Sequence, residues 1–196
     1  MMRRFVVVPL VVALLAPAAR AATWAIDPAH TTVEFSIRHM TVSNVRGTFD
    51  KVAGTVTSDE TDLAKSTITA TIETASVDTR NDKRDEHLRS ADFFDVAKYP
   101  TMTFTSKTIT KGTTPGHWNV AGDLTLHGVT KQVVLDVEGP TASVKDPMGN
   151  TRAGAHASTT IKRQDFGIVY SKTLETGGVM LGDDVTVTID VEAVQK

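Results

Sequence analysis

From residue 23 onward the chain alternates apolar and polar residues with a period of two, and the polar member is most often threonine. The pattern is plainest in Val33-Glu34-Phe35-Ser36-Ile37, in Ile68-Thr69-Ala70-Thr71-Ile72 and in Val185-Thr186-Val187-Thr188-Ile189-Asp190-Val191. Successive side chains of a strand face opposite ways, so each segment offers one apolar face and one wet face. Eight strands are predicted, over 30–39, 45–57, 67–77, 101–110, 117–126, 129–138, 152–163 and 184–194. Turn residues punctuate them: Gly112 with Pro115-Gly116, Gly139-Pro140, Asp146-Pro147-Met148-Gly149-Asn150 and Gly177-Gly178. With no long helical stretch between them, the strands imply a sandwich or a closed antiparallel barrel. One hairpin tests the register. A two-residue turn at His127-Gly128, with Gly128 at positive φ, pairs Leu126 with Val129. It then sets Val120 opposite Leu135 and Trp118 opposite Val137, all on one face.

Alternation stops between Arg80 and Pro100. Thr79 to Arg89 is highly charged, and Ser90 reads as an N-cap for Ala91-Asp92-Phe93-Phe94-Asp95, with Pro100 as the stop. One or two short helices near 81–96 are expected across one end of the sheet, with Leu88, Phe93 and Phe94 facing inward.

Side-chain size refines the architecture. Aromatic residues make up only 6% of the chain, and the 152–163 strand places Ala153, Ala155 and Ala157 on one face. Gly122 and Ala70 lie on apolar faces elsewhere. An eight-stranded barrel is just wide enough to be filled by side chains or to hold one small ligand. Small inward residues favour a cavity, because a packed interior does not leave such volume empty without cost. The competing reading is close packing of a second sheet.

The first residues change the compartment. Arg3 and Arg4, the apolar run Phe5 to Pro17 and the small-x-small Ala19-Arg20-Ala21 form a secretory leader, too short to span a bilayer. Residues 1–21 are therefore expected to be removed, leaving a single domain over 22–196 with no membrane span, periplasmic or secreted. Without the three leader arginines, 18 basic residues face 23 acidic ones, a net charge of −5. An acidic exported domain is poorly suited to nucleic acid, which demands phosphate neutralisation. The chain has no cysteine, which excludes disulfides, thiolate nucleophiles and Cys-bound metal.

Candidate chemistry is sparse. His30, His39, His87, His117, His127 and His156 are scattered, with no His-x-x-x-His pair, so no zinc-protease motif is present and no metal site is assigned. Gly-x-Ser-x-Gly, Ser-x-x-Lys and phosphate-cradling glycine motifs are missing. No cofactor is assigned and no catalytic residue stands out, so the chain reads as a non-enzyme. Arg38 and His39 at the end of the first long strand, with Arg46 just beyond, are candidates for meeting an anionic headgroup at a barrel mouth. Ordinary solvated charge, or an ion pair with Asp85 or Glu86, is the alternative.

Ordered segments carry a family resemblance. Trp24-Ala25-Ile26-Asp27-Pro28-Ala29-His30, Phe35-Ser36-Ile37-Arg38-His39-Met40 and Val45-Arg46-Gly47-Thr48-Phe49 resemble the opening of the YceI-like family. Arg84-Asp85-Glu86-His87-Leu88-Arg89-Ser90-Ala91-Asp92-Phe93-Phe94-Asp95, Tyr99-Pro100 and Phe104 are similar to its central signature. Gly122 to Thr130 and Arg163-Gln164-Asp165-Phe166-Gly167 are similar to its later ones. The resemblance implies a lipocalin-like antiparallel eight-stranded barrel, exported to the periplasm, that binds a polyisoprenoid or fatty-acid derivative for transport, storage or stress protection. The tail would lie against Phe35, Ile37, Phe49, Ile68, Ile72, Phe94, Met102, Phe104, Leu124 and Leu126. Two other readings stay open: an enzyme acting on a hydrophobic molecule with His39 or His87 as general base, and a haem partner using His or Met. Whether the barrel pairs as a homodimer is also open.

Overall fold

The computed structural model describes residues 21–59, 61–173 and 178–196. The leader expected over residues 1–21 lies outside the described residues apart from Ala21, as does Gly177 of the expected Gly177-Gly178 turn.

The strand segments are β1 (Ala21–Ile26), β2 (Thr32–His39), β3 (Ser43–Phe49), β4 (Val52–Asp59), β5 (Thr67–Glu73), β6 (Val77–Asp78), β7 (Thr101–Lys111), β8 (His117–Leu126), β9 (Val129–Glu138), β10 (Val144–Lys145), β11 (Thr151–Lys162) and β12 (Leu181–Gln195). Several are halves of one bent strand. β1 and β2 share one edge of β12, β1 against Ala193 to Gln195 and β2 against Leu181 to Asp190. β4 pairs with β1 and β3 with β2, while β5 and β6 pair with β4 and β3 in turn. The order β1/β2, β3/β4, β5/β6, β7, β8, β9, β11, β12 then closes, because the other edge of β12 pairs with β11 along its length. Eight antiparallel staves form an up-and-down barrel, and closure removes the exposed sheet edges that would invite aggregation.

Each predicted strand corresponds to a stave. The differences have local causes. β1 precedes the first predicted strand and bends into β2 at Asp27-Pro28, where proline has no N–H to offer the ladder. The predicted 45–57 strand is interrupted at Asp50-Lys51, whose backbone groups turn aside to Ser76 and Glu73. The 126–129 hairpin has the predicted register, Val120 opposite Leu135 and Trp118 opposite Val137. His127 (φ 51°) and Gly128 (φ 74°) make its turn, and a Cβ on Gly128 would sit 2.4 Å from the Tyr99 ring.

Among the described residues a single α-helix, α1 (Asp82–Arg89), crosses one end of the barrel. Asn81 caps it, accepting from the Arg84 N–H at 3.0 Å. Ser90 closes this helix instead of opening a second one: its N–H and Oγ both donate to the His87 carbonyl. Residues 91–94 and 96–98 are hydrogen-bonded turns, anchored by the N–H groups of Phe93 and Asp95 on the Ser90 carbonyl. Arg89 ties the helix to the wall through the Ala75 and Val77 carbonyls at 2.8 and 2.7 Å. Phe93 is buried, and Leu88 and Phe94 pack on the same core beside Phe49, Met102 and Leu126. No helix among the described residues is long and apolar enough to cross a membrane.

Candidate functional site

Inward side chains of the barrel leave a continuous cavity of about 970 Å³. That lies at the top of the roughly 300–1,000 Å³ range of small-molecule sites. On β12 the wall runs from Leu181 to Ala193. Twelve residue steps at about 3.3 Å make about 40 Å of strand, or roughly 30 Å along an axis tilted by about 40°. The hollow is therefore long and narrow.

Period two builds this wall. Phe35 and Ile37 from β2, Phe49 from β3, Ile68 and Ile72 from β5, Met102 and Phe104 from β7, and Leu124 and Leu126 from β8 all line it, and Phe94 closes in from the turn after α1. Sequence reasoning passed over further wall residues with the same parity. Val185, Val187, Ile189 and Val191 of β12 are four of them, and the tryptophans Trp24 and Trp118 both line the far end. Ala153, Ala155 and Ala157 of β11 leave the space their size suggested. Gly122 is different: a Cβ there would meet the Phe104 ring at 2.5 Å, so this glycine seats an aromatic ring and does not widen the lumen.

Of the three headgroup candidates, only His39 reaches the cavity. Arg38 and Arg46 face outward. Arg38 donates to the Thr41 carbonyl at 2.6 Å and to Asn44 Oδ1 at 3.4 Å, and Arg46 lies 3.6 Å from Glu34. Parity explains this, since Phe35, Ile37 and His39 already occupy the inward positions. Beside hydroxyl residues and Glu34, the wall includes two arginines and a further histidine, Arg84 and His87 from α1 and Arg163 from the turn after β11. Arg84 is fastened to Thr79 by Nε–H to Oγ1 at 2.7 Å and Nη2–H to the carbonyl at 2.8 Å. His87 Nε2 bonds Asp92 Oδ2 at 2.8 Å, and its ring meets Phe93 and Tyr170 edge-on. Arg163 lies on a 3₁₀ turn (163–166) and is only 4% exposed. Burial pulls its pKa below the ordinary arginine value, with the Asp183 charge opposing.

Elsewhere the histidines serve local structure. His30, His117 and His156 bond Asp27, Asp136 and Asp190, and His127 bonds the Phe166 carbonyl. Asp27, His30 and Glu192 gather enough ligand atoms for a cation. Arg152 already occupies that charge, donating to Asp27 at 2.7 Å, Glu192 at 2.6 Å and Asp146 at 2.7 Å. The guanidinium holds the Asp27 carboxyl down to about 2 and Asp146 lower still.

A family model for a YceI-like domain matches residues 24–193. A UPF0312 protein of Staphylococcus aureus strain N315 is 42% identical over 160 residues, 81% of this chain and 90% of that protein. The Campylobacter jejuni YceI protein, solved in crystals with large solvent channels, is similar with a TM-score of 0.68 at 36% identity, over 81% of this chain and 90% of that one. A polyisoprenoid binding domain from Saccharophagus degradans, implicated in plant cell wall breakdown, shares the fold with a TM-score of 0.64 at 18% identity, over 88% of this chain and 98% of that one. The chain belongs to the YceI-like family.

Proposed function

We propose that the protein is an exported carrier that holds a long apolar ligand, a polyisoprenoid or fatty-acid derivative, in the barrel lumen for transport, storage or stress protection. The observation that carries this is the continuous apolar cavity of about 970 Å³. At roughly 30 Å³ per non-hydrogen atom it has room for about thirty carbons. Realised affinities near ~0.3 kcal/mol per atom then give about 9 kcal/mol, a sub-micromolar Kd. The shared fold with a polyisoprenoid binding domain of Saccharophagus degradans supports this reading. Export rests on the leader over residues 1–21, which would deliver a domain of 22–196 to the periplasm or the medium. The ten wall residues from Phe35 to Leu126 would contact the tail. Organic extraction of purified protein, followed by mass spectrometry, should release a long-chain lipid. Empty extracts together with no uptake of added polyprenyl lipid would refute the proposal.

A second reading rests on His87, which lines the cavity while bonded to Asp92, the arrangement of an oriented general base. Incubating the loaded protein and finding the ligand mass unchanged would dispose of it.

A further inference from the structure

The loop between β2 and β3 breaks ordinary turn chemistry. It consists of Met40-Thr41-Val42, and Met40 (φ 51°) and Thr41 (φ 59°) both hold the left-handed conformation. Such loops are normally filled by Gly, Asn or Asp, and a β-branched residue at positive φ is a steric outlier. Hydrogen bonds hold the strain in place. The Met40 N–H donates to the Met180 carbonyl at 2.8 Å, the Val42 N–H to the His39 carbonyl at 3.0 Å, and Arg38 Nη2 to the Thr41 carbonyl at 2.6 Å. The strained loop buries nothing in return, since Met40 is exposed and Val42 is 78% exposed. A local rule broken without gain to the fold marks a place to look for function.

A second loop continues the apolar surface. Among the described residues seven large apolar side chains are exposed, and four of them, Met40, Val42, Val169 and Val179, belong to this loop and to the one that leads into β12. The two loops adjoin through Met40 and Met180, and through the pairing of His39 with Leu181. Both lie at the end crossed by α1, where the Tyr170 ring meets His87. Charge adds a direction. The described residues of 38–43, 168–173 and 178–182 include exposed Arg38 and Lys172 and no acid. Glu175, outside the described residues, still leaves two cations against one acid, in a chain whose overall balance is acidic. Immediate neighbours of the exposed residues, His39, Ser43, Met180 and Leu181, line the cavity.

We propose that Met40, Val42, Val169 and Val179 form a docking face for an anionic lipid bilayer, flanked by Arg38 and Lys172. The four side chains enter the headgroup boundary and the two cations meet lipid phosphates. Continuity with the cavity selects a bilayer over a protein partner, because a lipid passing between membrane and lumen keeps its tail out of water. The inference rests on the carrier reading for its guest and goes beyond it by naming the surface from which the guest is collected.

Protein freed of residues 1–21, whose apolar run would bind membranes by itself, should be sedimented with sucrose-loaded vesicles. Vesicles of phosphatidylethanolamine with phosphatidylglycerol are expected to bind about 10-fold tighter than vesicles of phosphatidylcholine. The double variant Val42→Asp, Val179→Asp should lose at least about 10-fold of that affinity, while Met148→Asp, at the opposite end and 80% exposed, stays within about twofold. Geranylgeraniol uptake, followed by the fluorescence of Trp24 and Trp118, should be the same in all three proteins. In Val42→Trp the added indole should be quenched by brominated acyl chains, and in Met148→Trp it should not. A wild type that takes up geranylgeraniol but ignores both vesicles overturns the docking face, leaves the carrier intact and frees the patch for a protein partner. Vesicle binding with no uptake of geranylgeraniol supports the docking face and counts against the carrier. Equal losses in the double variant and in Met148→Asp overturn the patch, and equal affinity for the two vesicles overturns the anionic surface.

Discussion

Replacing Ala157 by phenylalanine separates a hollow barrel from a filled one. Ala157 stands between Val137 of β9 and Ile189 of β12, is 6% exposed, and lines the cavity. The new ring adds six carbons, about 180 Å³ at roughly 30 Å³ each, out of about 970 Å³. A guest that fills the lumen loses room for about six atoms, about 2 kcal/mol at ~0.3 kcal/mol per atom, or roughly 20-fold in Kd. A fifteen-carbon isoprenoid needs only half the space and should keep its affinity. Without ligand the variant should be at least as stable as the parent, because the ring touches walls that otherwise face empty volume. In a filled interior the same ring would cost about 1–3 kcal/mol, with about 2–4 °C of Tm lost per kcal/mol at this chain length. Thermal melts of delipidated protein, with tryptophan titrations against fifteen- and thirty-carbon isoprenoids, measure both quantities. A Tm drop beyond about 4 °C, with equal weakening for the two lengths, would refute the reasoning.

Three further outcomes follow from the fold. Arg152→Met should destabilise the protein at pH 7 by leaving Asp27, Asp146 and Glu192 crowded together. The folded Asp27 pKa of about 2 lies below its ordinary 3.8, so the stabilisation is full above 3.8 and fades as pH falls toward 2. Urea midpoints of parent and variant should therefore draw together as pH falls through that window, the part due to Asp146 fading last, and a gap as wide at pH 2 as at pH 7 contradicts the assignment. Gly128→Ala forces a Cβ into the Tyr99 ring at φ 74° and should cost about 1–3 kcal/mol by urea unfolding; a neutral result would mean that the turn relaxes freely. Asp85 is 5% exposed and accepts from both the N–H and the hydroxyl of Thr79. Asp85→Ala should cost about 1–3 kcal/mol and loosen α1, seen as faster proteolysis within residues 80–100 and faster ligand release; protease resistance equal to the parent's would show that α1 is held by other contacts.

The barrel was legible because each stave separates lumen from water, and that separation writes a period of two into the chain. Where both faces of a strand meet small apolar groups the signal vanishes, as in β1, where Ala21, Ala22 and Ala25 flank Trp24 and hide the alternation. Breaks set by distant partners were also invisible: the bend at Asp50-Lys51 exists because Ser76 and Glu73 draw those backbone groups away. Ser90 showed that a capping residue does not declare which side its helix lies on. The charged residues follow the same logic. Arg38 and Arg46 were nominated by type, yet their parity with Glu34 and Asn44 sends them outward. The two arginines that do reach the lumen come from α1 and from the 3₁₀ turn after β11, where no strand period applies. Period two fixes which strand residues face the lumen, so these two guanidinium groups enter it from elements that interrupt the period.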